Sequence, residues 1–276
     1  MLCVVGDLVE DIVVRVDAAP QRGTDTPAQI TRSAGGSAAN VAAAAALAGC
    51  PVRFVGRVGA DAAGERLVAG LVALGVDVRV QREGVTGAVV VVVEPGGERT
   101  MLPDRGAAQE LGPIDAAWAR GVSWLHLPAY SLCAEPIATN TIEFVRRGGA
   151  RLSVDVSSES VVRSFGPASF ASLVTTLAPD VVFATVAEAA LVGPVAAPLL
   201  VLKDGGRPVV LRRGGGSEEQ VPVAAVPGVV DTTGAGDAFA AGFLAATLDG
   251  ETPAAAAHRG AALAARTVTV AGARVE

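Results

Sequence analysis

The chain has 276 residues and a formal net charge of -6, which is long enough to bury one large core and too acidic for a nucleic-acid binder that relies on a broad basic surface. An apolar fraction of 51% against 18% charged residues excludes an intrinsically disordered chain. Glycine (33 residues) and alanine (54) together leave about a third of the chain with almost no side chain, without the regular glycine repeat of collagen. The first predicted element is a strand over 2 to 5. Short extended segments follow at 11 to 16 and 28 to 33, then a helix over 37 to 48 stopped by Gly49-Cys50-Pro51. A strand at 52 to 55, an amphipathic helix at 61 to 74 and an extended segment at 76 to 80 come next. Residues 88 to 94 and 98 to 102, joined through Pro95-Gly96-Gly97, read as a hairpin. Beyond it the pattern alternates. Strands are predicted at 124 to 127, 151 to 156, 181 to 183, 199 to 202 and 209 to 212. Helices are predicted at 135 to 147, 170 to 177, 186 to 192, 235 to 248 and 253 to 268.

Alternating strands and helices imply a mainly parallel sheet covered on both faces, a three-layer α/β/α sandwich. The segments 11 to 33 and 86 to 102 break that rhythm and read as insertions. Together they would form a small antiparallel sheet that works as a lid over a bound ligand. The expectation is one domain over residues 1 to 276.

Several classes fall away on simple grounds. Of 22 basic residues only Lys203 is a lysine, and Asp204 follows it, so no P-loop and no protein-kinase signature is present. The first strand ends at Gly6-Asp7-Leu8, which lacks the glycine fingerprint of a nicotinamide-dependent oxidoreductase. Cys3, Cys50 and Cys133 are too far apart for a metal site or a disulfide framework, and they read as buried free thiols of a cytoplasmic protein. Asp7, Glu10 and Asp11 follow the first apolar run directly, so no signal peptide is expected. Residues 33 to 52 carry no charge, but they are mostly Ala, Gly, Ser and Asn, which suits a buried helix rather than a membrane span.

The strongest chemical signal is Asp231-Thr232-Thr233-Gly234-Ala235-Gly236-Asp237-Ala238-Phe239. Small residues let backbone approach a ligand closely. The run leads into a helix, so free N–H groups and the positive helix end point at one spot. Asp237 stands in the first turn of that helix. Anion-binding amides beside a carboxylate suit transfer of a phosphoryl group to a hydroxyl.

This run resembles the C-terminal signature of the ribokinase-like, or PfkB, carbohydrate kinase family. Gly35-Gly36-Ser37-Ala38-Ala39-Asn40-Val41-Ala42 resembles the family's other signature, before the first long helix. Residues 56 to 64, Leu74-Gly75-Val76-Asp77, Thr86-Gly87 and Gly97-Glu98-Arg99 extend the likeness over nearly the whole chain. The resemblance implies a ribokinase-like fold and ATP-dependent, Mg²⁺-requiring phosphorylation of a sugar, sugar acid or sugar phosphate. It implies Asp237 as catalytic base and Gly234, Ala235 and Gly236 as the anion hole for the γ-phosphoryl group. It puts Asp11 on substrate hydroxyls, Gly35 and Gly36 at the hinge of the lid, and Asn40 on the substrate. Arg105 matches a position that faces the substrate in some sugar-acid and sugar-phosphate kinases. Thr185 and Glu188 match the element linked to magnesium, with Gly205 also on the nucleotide side. Asp231 and Thr233 match positions near a monovalent-cation (K⁺) site.

The chain departs from the family pattern at several places. Thr185 stands for the usual asparagine, Ser37 for a basic residue common in ribokinases, and Gly106-Ala107-Ala108 for Gly-Ala-Asn. No acid occurs in Leu127-Pro128-Ala129-Tyr130, which argues against free ribose as acceptor. His258, where many members have an adenine-side residue, reads as a helix-surface histidine. A nucleoside kinase is the main alternative, disfavoured because residues 11 to 33 and 86 to 102 contain no aromatic side chain. A ligand-binding relative without catalysis is the remote one. Lid sheets of the family commonly dimerise, and an exposed apolar strand at 89 to 93 would need covering, which fits a homodimer.

Overall fold

The computed structural model describes residues 1–269. In chain order it opens with β1 (Leu2–Val5), β2 (Val9–Val16), β3 (Ala28–Gly35), α1 (Ser37–Leu47), β4 (Val52–Val58), α2 (Ala62–Ala73) and β5 (Asp77–Arg82). The pair β6 (Thr86–Val93) and β7 (Arg99–Gly106) follows. Then come β8 (Trp124–Pro128), α3 (Ile137–Gly148), β9 (Arg151–Asp155), α4 (Glu159–Phe165), α5 (Pro167–Leu177), β10 (Val181–Thr185), α6 (Val186–Val192) and β11 (Leu199–Lys203). The last elements are β12 (Val209–Arg213), β13 (Glu218–Val221), α7 (Ala235–Leu248) and α8 (Pro253–Thr267).

Nine strands form the large sheet in the order β13-β12-β11-β10-β9-β8-β1-β4-β5. Every pair from β11 to β5 is parallel, and only the β12 and β13 edge is antiparallel. The inner strands are buried on both faces, so β1 reads as an unbroken apolar run rather than an alternation. One face packs on α1, α2, α7 and α8, the other on α3, α4, α5 and α6. These are the three layers expected.

The small residues shape the first of these layers. Ala38, Ala42 and Ala45 on α1 and Ala240, Ala241 and Ala246 on α7 are fully buried, and α1 packs on α7. A Cβ on Gly242 would lie 2.8 Å from the Arg259 carbonyl, and one on Gly260 would lie 2.7 Å from the Phe239 carbonyl. Both glycines therefore let α7 and α8 cross backbone to backbone. Phe183 of β10 stacks edge-on against Phe239 and Phe243 of α7, which fixes the start of α7 above the C-terminal ends of β9, β10 and β11.

The remaining strands form a separate sheet, in the order β3-β2-β6-β7. The sequence led us to expect it to be antiparallel throughout. Its central pair, β2 and β6, is parallel instead. Those two strands are joined not by a turn but by a long connection containing β3, α1, β4, α2 and β5, which leaves their relative direction free. The strands also run further than expected, so that Gly35 ends β3 and Arg105 lies within β7. Strand β6 is an inner strand: Val91 and Val93 are buried and Val89, Val90 and Val92 half-buried. The expectation of an exposed apolar strand at 89 to 93 is thereby corrected. The exposed apolar side chains of this sheet are Ile30, Met101 and Leu102.

Two elements were not foreseen. Helix α4 is only seven residues long and starts from the serine-rich Ser157-Ser158, with Ser158 capping it. Strand β13 is mostly polar and exposed, and pairs with β12 in register Arg212↔Glu218. Cys3 is buried, as expected of a free thiol, whereas Cys50 and Cys133 are only half-buried. Among the described residues no helix is long and apolar enough to cross a membrane.

Candidate active site

The C-terminal ends of the parallel strands and the first turn of α7 meet at one place, where ligands of open α/β sheets bind. Gly234 sits at φ 75°, a left-handed turn that turns the chain into α7. The first-turn amides of a helix have no carbonyl of their own helix to bond. Here the Ala235 N–H donates to the Thr232 carbonyl (3.2 Å). That leaves the amides of Gly236 and Asp237 as the first-turn donors without an acceptor in the helix.

Asp237 is gripped by the start of α1. Ser37 Oγ donates to its Oδ1 (2.7 Å) and Asn40 Nδ2 donates to its Oδ2 (2.9 Å). Residues two hundred positions apart thus share one carboxylate. Burial pushes the Asp237 carboxyl up to about 7, and the hydrogen bonds from Ser37 and Asn40 pull against that rise. Gly36, at φ 102°, brings α1 against Asp7: a Cβ there would lie 2.5 Å from the Asp7 carbonyl. Asp7 Oδ1 in turn accepts from the Ala38 N–H (3.2 Å), and the Asp7 carbonyl accepts from Ala39 N–H (3.2 Å).

A second group of charges lies beside this carboxylate, where the small sheet meets the large one. Arg105 of β7 donates to Asp7 Oδ2, and its guanidinium stacks 3.9 Å over the Tyr130 ring. Asp11 of β2 faces the end of β3, where a Cβ on Gly35 would lie 2.3 Å from its carboxylate. Burial raises the Asp11 carboxyl to about 6, nearby Asp7 adds to the rise, and Arg105 opposes it. Beside Arg105 opens a cavity of about 370 Å³, also lined by Gln109, Tyr130, Val161, Ser164 and Phe165.

On the other side of Asp237, Thr185 and Glu188 form a reciprocal cap at the start of α6. The Glu188 carboxylate accepts from the Thr185 N–H (2.7 Å), and the Thr185 hydroxyl accepts from the Glu188 N–H (3.1 Å). Burial raises the Glu188 carboxyl. Next to them Lys203 Nζ pairs with Asp155 Oδ2 (2.6 Å). Asp231 Oδ1 and Thr233 Oγ1 both accept from Arg99 Nη1 of β7, each at 2.6 Å. Gly205 lies in the exposed turn after β11, two residues past Lys203. His258 is exposed on α8.

The structure thus brings Asp237, Asn40, the 234 to 236 turn, Asp11, Gly35, Gly36 and Arg105 to one end of the sheet, with Thr185 and Glu188 beside them. The sequence reading missed Asp7, Asp155 and Lys203 as site residues, and took Ser37 only as a departure from a pattern. Position could have flagged them. Each of Asp7, Asp155 and Lys203 is a charged residue at or just past the C-terminal end of an apolar parallel strand.

The pfkB family carbohydrate kinase profile matches residues 1–276. The chain is 32% identical to an ATP-dependent ribose-1-phosphate kinase of Halopiger xanaduensis, over 87% of this chain and 83% of that protein. Its structure is similar to that of an adenosine kinase from Sinorhizobium meliloti, with a TM-score of 0.87 at 25% identity, covering 99% of this chain and 95% of that one. It is also similar to a ribokinase from Thermotoga maritima, with a TM-score of 0.80 at 24% identity, over 99% and 94% of the two chains.

Proposed function

The chain belongs to the pfkB family of carbohydrate kinases, and from that premise we propose that it transfers the γ-phosphoryl group of ATP to a hydroxyl of a small sugar or sugar derivative, with Asp237 as the base. The observation that carries the reading is the Asp237 carboxylate, which stands in the first turn of α7 and is held by Ser37 and Asn40. In the proposed step Asp237 takes the proton of the acceptor hydroxyl. The hydroxyl oxygen forms its bond to the γ-phosphorus as the bond to the ADP oxygen breaks. The backbone of the 234 to 236 turn faces the charge that develops. Asp11 accepts from acceptor hydroxyls, since a carboxylate can take two such bonds.

Glu188 fits a magnesium ion delivered with the nucleotide. One of its oxygens is committed to the Thr185 N–H and the other is left for a metal-bound water. Magnesium would supply charge neutralisation at the phosphates. Gly35 and Gly36 join β3 to α1 and are placed to hinge the small sheet over the acceptor. The exposed Ile30, Met101 and Leu102 support a homodimer formed through that sheet.

Two acceptor classes have support. The pairing of Arg105 with Asp7, beside Asp11 and Asp237, leaves more carboxylates than cations around the acceptor, which favours a neutral polyol over a sugar phosphate. The cavity beside Arg105, with Tyr130, Val161 and Phe165 in its wall, favours a ring attached to the sugar, as in a nucleoside. ADP release measured over pentoses, hexoses, sugar acids, sugar phosphates and nucleosides tests both. Turnover with a neutral sugar or a nucleoside at least about tenfold above the anionic sugars is expected. ADP release that never depends on an acceptor would sink the kinase reading.

A further inference from the structure

We infer that Lys203, the chain's sole lysine, is a direct ligand of the transferring phosphoryl group, and that Asp155 positions it. The inference rests on the phosphotransfer reading above and adds a side chain to a phosphate site otherwise made of backbone.

The placement comes from the register of the sheet. Lys203 is the last residue of β11 and pairs alongside Thr185 of β10. Asp155 is the last residue of β9, on the other side of β10. Their ion pair therefore spans the end of β10, and the ammonium lies between the Thr185–Glu188 cap and the first turn of α7. A Cβ on Gly236 would lie only 3.3 Å from Lys203 Nζ, and it would meet nothing else within 4 Å. The ammonium is thus the immediate neighbour of the turn that carries the candidate anion hole.

The donor inventory points the same way. An ammonium has three N–H donors. Among the hydrogen bonds of the described residues Lys203 makes one, to Asp155 Oδ2 (2.6 Å). The Lys203 side chain is 12% exposed and that of Asp155 is 5% exposed. The ammonium also lies 5.9 Å from the Phe183 ring centroid, and its two remaining donors have no protein acceptor among the described residues, so they are available to an anion bound at the neighbouring turn. Asp155 itself is fixed: its Oδ1 accepts from the Ser157 N–H (2.9 Å). It can thus aim the ammonium without moving.

Charge balance supplies the purpose. Asp155, Glu188 and Asp237 are three carboxylates around the phosphate position, and Lys203 is the cation among them. It favours the ionised form of both Asp237 and Glu188. An incoming triphosphate adds more negative charge to the same space. A preorganised cation at the phosphoryl oxygens acts where that charge shifts during transfer.

The test uses Lys203→Met, Lys203→Arg and Asp155→Asn in the full chain. ADP release gives kcat and both KM values, and calorimetric titration compares MgADP with Mg-AMP-PNP. Lys203→Met should lose about a hundredfold or more in kcat, with the acceptor KM unchanged within about threefold. Mg-AMP-PNP should bind at least about tenfold more weakly, while MgADP keeps its affinity. Lys203→Arg should recover about tenfold of the lost kcat, and Asp155→Asn should lose about tenfold. Equal weakening of both nucleotides, or near-normal kcat in Lys203→Met with a lowered melting temperature, overturns the inference in favour of a strand clamp. If Lys203→Met does not fold, Lys203→Arg decides, since a clamp tolerates arginine without a selective loss of Mg-AMP-PNP. The titrations need no acceptor, so they judge Lys203 even if the wild-type protein phosphorylates nothing in the acceptor panel.

Discussion

The two sides of Asp237 are built by different means. On the phosphate side, one unbroken run, 231 to 237, supplies the turn and the first helical amides, and the packing of Phe239 and Phe243 on Phe183 holds them in place. On the acceptor side the polar groups come from four separate places: Asp7 after β1, Asp11 on β2, Arg105 on β7 and Tyr130 after β8. A site made of consecutive backbone leaves little room for change without losing the turn. A site made of side chains from separate segments can be altered one residue at a time. In the proposed reading, phosphoryl donor recognition is therefore the rigid half of the site and acceptor recognition the adjustable half, with Asp237 shared between them.

The largest effect should come from breaking that shared point. Asp237→Asn keeps the size of the side chain but removes the base. Turnover should fall by about a hundred- to ten-thousandfold, while MgADP affinity by calorimetry stays within about threefold. Near-normal turnover would mean that the acceptor proton leaves by another route and that the two sides are not joined at Asp237.

A smaller effect follows from how α1 holds the same carboxylate. The Asp237 carboxyl is raised to about 7 by burial, so a base that must be ionised is lost as pH falls through that value. The rate profile should decline about tenfold per unit below pH 7 and level off above it. Ser37 donates to the ionised form, and its removal leaves the carboxyl more easily protonated. Ser37→Ala should therefore move the acid limb of kcat/KM about one unit towards alkaline pH and leave the plateau near the wild-type rate. A limb that stays put would show that the grip of α1 on Asp237 lacks electrostatic weight.

How much of this was legible beforehand follows the same division. The Gly-Ala-Gly-Asp run and the Gly35-Gly36 pair could be read from the chain because each acts through consecutive residues. The alternation of strands and helices gave the three layers for the same reason. The contact of Ser37 and Asn40 with Asp237 could be read only as two motifs, since nothing local says that positions 37 and 237 meet. Asp155 and Lys203 were hidden because each is an ordinary charged residue at a strand end, and only the order β9-β10-β11 makes them partners. The parallel pairing of β2 with β6 was hidden because alternation predicts a strand and its faces but not its direction. The small-residue composition also has a use that the sequence reading did not assign, since Gly242 and Gly260 let α7 and α8 cross at backbone contact.

The smallest expected effect concerns a link between the small sheet and the phosphate side. Asp231 and Thr233 lie just before the glycine turn, at the positions where the family resemblance puts a monovalent cation. Here both side chains accept from the guanidinium of Arg99, which belongs to β7. A potassium ion on the same oxygens would have to share them with a positive charge already there. Replacing K⁺ by Na⁺ at constant ionic strength should therefore change kcat by less than about twofold. Arg99 is 25% exposed and Asp231 9%, so solvent screens this half-buried pair only in part, and its loss is worth about 1 kcal/mol, or about fivefold. Arg99→Gln should lower kcat by about that factor and at the same time make it respond to added K⁺, which can then reach Asp231 and Thr233. Strong K⁺ activation of the wild-type protein would mean that Arg99 leaves those oxygens during turnover. The tip of the small sheet would then be released from the phosphate side rather than tied to it.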